Sequence, residues 1–192
     1  PNVVLISKQT PLMSRNQNMN QYYNQLTSLI FARPKGFGAE LSDAHWIRML
    51  AAWFTIHYEE LALPHLLAGQ DVLLENSPFK YMLRYIANVP EDEPHIRACF
   101  EPITREIDAT VLLDIDPAAA LRRKGGAMSS VEGGRDAQDA NDILTYQGRV
   151  RLGLHAEARR LGWDILSVDQ QTPRNVADRV AASITTSLDR KC

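Results

Sequence analysis

The feature that most constrains this chain is an alternation: short apolar runs separated by stretches with helical periodicity. The residues from Asn2 to Ser7 form one such run (N-V-V-L-I-S), and Asp71 to Glu75 (D-V-L-L-E) and Ala109 to Asp114 (A-T-V-L-L-D) form two more. Asp164 to Val168 (D-I-L-S-V) is a weaker fourth. Runs of this length suit strands buried on both faces, as in a parallel sheet. Between them apolar residues recur at three- and four-residue spacing. Met19, Tyr22, Tyr23, Leu26, Leu29 and Ile30 make one stripe, and Ile96, Cys99, Phe100 and Ile103 another. A long helix from a cap at Ser42 to about Ala68 carries Trp46, Leu50, Trp53, His57 and Leu61 on one face. Asp116-Pro117 and Thr172-Pro173 each place a capping side chain before a proline at the first helical position. The helix after Thr172 carries Val176, Val180 and Ile184 on one side. Strands alternating with helices predict an α/β fold, a parallel sheet with helices on both faces.

Length and composition set the scale. With 192 residues and 45% hydrophobic content, the chain is expected to form a single domain over 1–192 with its own core. A net charge of −2, with no block of like charge, argues against a nucleic-acid groove or a membrane patch. No apolar run approaches the roughly 20 residues of a membrane helix. Two cysteines far apart, Cys99 and Cys192, fit a reducing cytoplasm better than a disulfide scaffold. The stretch from Lys124 to Asn141, rich in Gly, Ser, Asp and Gln, reads as a mobile loop between two helices.

In this order the segments resemble the thymidylate kinase family of nucleoside monophosphate kinases, within the P-loop NTPase superfamily. The segments that carry the resemblance are A-L-P-H-L-L-A-G-Q leading into D-V-L-L-E, then E-N-S-P-F-K-Y-M-L-R-Y, then V-L-L-D-I-D-P-A-A-A-L-R-R-K, and finally the polar loop followed by Y-Q-G-R-V-R and D-I-L-S-V-D-Q-Q. The resemblance implies a three-layer P-loop kinase-like fold with a lid at about 124–141. It implies phosphoryl transfer from ATP, with Mg2+, to a nucleoside 5′-monophosphate (dTMP-like) or a related phosphorylated small molecule. It also implies a homodimer.

One element of the family is missing from the sequence. ATP-dependent transfer in this fold uses G-x-x-x-x-G-K-[ST], whose backbone N–H groups cradle the phosphates. No such string occurs among the 192 residues. By alignment of elements the first family strand, its loop and its first helix are expected ahead of Pro1.

Phosphoryl transfer needs cations around the moving group. The resemblance assigns this catalytic role to Arg122, Arg123 and Arg135. Glu75 stands where the family has an acid that orients acceptor or magnesium. The arginine expected next is Asn76, so Lys80 is the candidate for the acceptor phosphate. Phe54 takes the place of an arginine that faces the base, and Tyr146 follows the lid; both are candidate substrate contacts. Lys124, Asp169 and Gln170 are candidates for the ATP side. Arg122, Arg123 and Lys124 equally suit a helix C-terminus, where cations meet the macrodipole. Trp53 and Phe54, at helical spacing, suit a core better than a base contact. The alternative to catalysis is a kinase-like scaffold that binds nucleotide or dimerises, with Trp46, Trp53 and His57 as an isologous contact.

Overall fold

A computed structural model describes residues 3–32, 40–125 and 139–189. The chain divides into two compact units, one made of Pro1–Tyr85 and Glu91–Thr104, the other of Ile86–Pro90 and Arg105–Cys192.

The first unit opens with strand β1 (Val3–Ile6) and helix α1 (Gln17–Phe31). Asn16 starts α1 by accepting from the Asn18 N–H. Helix α2 (Asp43–Ile56) follows, capped by Ser42, whose side chain accepts from the His45 N–H. The helix continues through a π-helical turn, His57–Ala62, into the short α3 (Leu63–Leu67). Pro64 lies in the first turn of α3. A proline ring clashes with the carbonyl four residues back and offers no N–H. Just before it the Leu63 N–H reaches back five residues to the Tyr58 carbonyl, and the wider turn makes room for the ring. Gly69, at φ +74°, turns the chain into strand β2 (Asp71–Leu74). Helix α4 (Pro78–Asn88), a single 3-10 turn at Pro90–Asp92 and helix α5 (Glu93–Thr104) complete the series.

The core of this unit is aromatic. Tyr23, Trp46, Trp53, Phe54, Phe79 and Phe100 are buried, together with Ile47, Leu50, Ile96 and Ile103. The Trp46–Trp53–His57 stripe faces into this core, so those side chains are not a surface for a second copy.

The second unit is built on strand β3 (Val111–Asp114), helix α6 (Pro117–Arg123), helix α7 (Ala140–Leu161), strand β4 (Asp164–Ser167) and helix α8 (Pro173–Asp189). Asp116 caps α6 by accepting from the N–H groups of Ala118 and Ala119 at 3.0 and 3.1 Å. Asp139 caps α7, and Gly162, at φ +70°, ends it. Thr172 accepts from the Asn175 N–H at the start of α8. The buried set is smaller here: Tyr146, Val150 and Ala158, with the polar Asp114, Glu157 and Ser183.

The four strands stand where the apolar runs place them, but the expected three-layer P-loop kinase-like sheet is not what they form. The described residues hold two separate two-stranded sheets: β1 pairs with β2 and β3 with β4, both in parallel. Helices make up most of the rest. The expectation failed because an apolar run does not specify how many neighbours a strand has. Each strand is four residues long, and in β1 alternate residues are open, Val3 at 54% and Leu5 at 62% exposure. A two-stranded sheet with one open face is not a parallel sheet covered on both sides.

Candidate functional site

The best-formed cluster of charge lies at the carboxyl end of β3. Asp114 is the last residue of that strand, and the Val168 N–H donates to its carbonyl at 2.9 Å, extending the β3–β4 ladder. Its side chain is 9% exposed by residue and faces α7. There Arg151 Nε donates to Oδ1 and Nη2 to Oδ2, each at 2.7 Å. His155, one turn further along α7, brings Nε2 to 2.9 Å from Asp114 Oδ1. Arg151 Nη1 stands 3.8 Å from Asp116 Oδ2. A two-point guanidinium–carboxylate pair is among the strongest polar contacts a protein makes. The Arg151 hydrogen bonds hold the Asp114 carboxyl at about 2; burial acts the other way, and His155 adds to the lowering. The same pairing raises Arg151 further above its ordinary value.

A second set of bonds ties the turn after β4 to α6. Asp169 Oδ1 accepts from the Asp116 N–H at 3.0 Å. Arg123 Nη2 donates to the Val168 carbonyl at 3.0 Å and also to that of Asp169. Arg179, on α8, donates to the Ser167 carbonyl at 3.0 Å. These bonds hold the ends of β3 and β4 and the start of α6 in one arrangement.

Beside them is a small hollow of about 110 Å³. Leu112, Ile115, Pro117, Val150 and Leu154 give it apolar walls, and Asp114, Gln147 and Arg151 its polar edge.

The sequence-derived candidates fall in different places. In the second unit, Asp169 belongs to the bonded cluster and Gln170, beside it, is exposed. Arg122 and Arg123 end α6 and are exposed; Lys124 is its C-cap. Tyr146 is buried on α7. Arg135 and the lid residues 126–138 lie outside the described residues. In the first unit, Glu75 is exposed at the end of β2, where its N–H donates to the Ile6 carbonyl at 2.9 Å. Lys80 is exposed in the first turn of α4, its Nζ 5.8 Å from the Tyr81 ring centroid. Phe54 is buried among Trp53, Tyr81 and Phe100, with ring centroids 4.9 to 6.3 Å away.

Arg151 and His155 are the residues that reading by motif passed over. The signal was present: two basic side chains four apart on one helix, downstream of a strand ending in aspartate. The first unit holds a second such case. Tyr23 Oη lies 2.7 Å from His57 Nδ1 across 34 residues of sequence, and both are buried. Trp53 stacks on His57 at 4.4 Å and donates through Nε1 to Thr27 Oγ1 at 2.8 Å. Burial lowers His57 to about 4 and raises Tyr23 to about 12.

No protein-family model matches this chain, and a search of curated proteins gives no match.

Proposed function

We propose that the chain binds a nucleotide at the carboxyl ends of β3 and β4 and takes part in phosphoryl transfer to a nucleoside 5′-monophosphate or a related phosphorylated small molecule. The observation that carries the reading is the hollow beside Asp114, with a guanidinium fixed at its edge by two 2.7 Å bonds. The quoted segments that resemble thymidylate kinases support the transfer step. Exposed Arg122, with Lys124 and Arg135, would screen the charge of the moving phosphoryl group.

ATP with Mg2+ is the expected donor. Among the described residues no group of three or more His, Cys, Asp or Glu side chains is placed to hold a metal. Magnesium that arrives with a nucleotide keeps several waters and takes phosphate oxygens plus one or two carboxylates.

No helix among the described residues is long and apolar enough to cross a membrane. The proposal places the protein in the cytoplasm, as a homodimer.

A second reading, a scaffold that binds nucleotide or dimerises without catalysis, is favoured by one observation. The outer face of β1 leaves Val3 and Leu5 open, an apolar strip that a second copy would cover.

A coupled assay of ADP release, run with a panel of nucleoside monophosphates, separates the two. The transfer reading expects turnover with at least one monophosphate and a reduced kcat in Arg122→Ala. Nucleotide binding without turnover for any acceptor would leave the scaffold.

A further inference from the structure

The Asp114–Arg151 pair uses only one edge of the guanidinium. Nε and Nη2 each give one hydrogen to the carboxylate. A guanidinium has five N–H hydrogens in a rigid plane, so three remain at the Nη1–Nη2 end. Among the described residues, Asp116 Oδ2 stands 3.8 Å from Nη1, too long for a hydrogen bond. Arg151 also lines the hollow. The site therefore sets a guanidinium held on one edge among the residues that line a small apolar space.

Charge decides what that guanidinium binds. Asp114 already neutralises Arg151, and both Asp116 and Asp169 add negative field at the same guanidinium. An incoming anion meets that field; a neutral pair of acceptors does not. Size bears on it as well: about 110 Å³ is small beside the roughly 300–1,000 Å³ of pockets that enclose whole ligands, so only part of a ligand would enter.

We infer that Arg151, positioned by Asp114, reads the edge of a nucleobase that presents two adjacent acceptors, with the ring against Leu112, Val150 and Leu154. This rests on the nucleotide-binding reading above and assigns the hollow to the base of the acceptor nucleotide, not to the adenine of ATP. Guanine offers O6 with N7, and cytosine offers O2 with N3. Adenine sets an amino donor beside each ring acceptor on those edges, and thymine sets an N–H between its two carbonyls. Arginine paired to two acceptors of one base distinguishes bases by about tenfold or more.

The test is calorimetric titration of the whole chain with magnesium and the 5′-diphosphates of guanosine, cytidine, adenosine and thymidine, with 7-deazaguanosine diphosphate and with pyrophosphate. Guanosine and cytidine diphosphates should bind about tenfold tighter than the other two. Removing N7 in the deaza compound should lose most of guanosine's advantage, a comparison that needs no variant protein. Arg151→Gln should level the series. Equal affinity across the four bases overturns the inference and leaves nucleotide binding standing. Pyrophosphate binding as tightly as the nucleotides also overturns it, marking an anion site. Absence of binding by any nucleotide overturns both readings together.

Discussion

Asp114 and Arg151 join the end of β3 to the middle of α7 through two hydrogen bonds of 2.7 Å. The carboxylate is nearly buried, whereas 35% of the arginine side chain is open to water. Removing the cation therefore strands a carboxylate with only His155 beside it. Arg151→Ala is expected to lower stability by about 2 kcal/mol, less than for a fully buried pair because the arginine is part-solvated. Urea denaturation of the variant checks this; an unchanged midpoint would show that the pair contributes nothing net.

The same pair gives an acid dependence. The folded Asp114 carboxyl titrates at about 2, below its ordinary 3.8. Between those values the unfolded chain binds the proton more readily. The stabilisation is complete above pH 3.8 and disappears as pH falls through 2. Asp114→Asn should flatten the stability profile in that window.

His57 acts over a higher range. It is buried and titrates at about 4 in the fold, against 6.5 when free. The folded state favours the neutral ring, so its contribution is present above pH 6.5 and is lost as pH falls toward 4. At 1.36 kcal/mol per unit this amounts to about 3 kcal/mol. Unfolding free energies from denaturation curves at pH 7 and pH 4.5 should differ by most of that amount, and His57→Gln should narrow the gap.

Tyr23→Phe removes the hydroxyl 2.7 Å from His57 Nδ1 and leaves a buried ring nitrogen without that partner. A loss of about 1–3 kcal/mol is expected. In parallel, Thr27→Val takes away the acceptor of the Trp53 indole N–H at a similar cost. Thermal melts of the two variants measure both effects.

Asp116 tests local structure rather than charge pairing. Its side chain caps α6 by accepting from two N–H groups. Asp116→Ala should cost about 1 kcal/mol, and Asp116→Asn, which keeps an accepting oxygen, only a few tenths. Equal losses for both would point to the charge near Arg151 as the larger contribution.

How much of this was legible in the sequence follows the range of the interactions. The caps at Ser42, Asp116 and Thr172 were readable because a cap and the N–H groups it serves are two or three residues apart. Strand positions were readable from the apolar runs. Pairing was not: nothing in V-V-L-I or V-L-L-D says whether a strand has one neighbour or two, and here each has one among the described residues. Long-range polar pairs were hidden for the same reason. Tyr23 and His57 are 34 residues apart, and Asp114 and Arg151 are 37 apart. In both cases the local element was visible, but not the side chain that its residue faced. Phe54 was readable either as a base contact or as core, and the structure places it in the core.

The central claim is that the carboxyl ends of β3 and β4 bind a nucleotide. Its most direct test is an amide chemical-shift map of the whole chain, titrated with magnesium and a nucleoside diphosphate. The account predicts saturable shifts at Ile115, Gln147, Val150, Arg151 and Leu154. Saturating shifts confined to the first unit, or no shift at millimolar nucleotide, would contradict it.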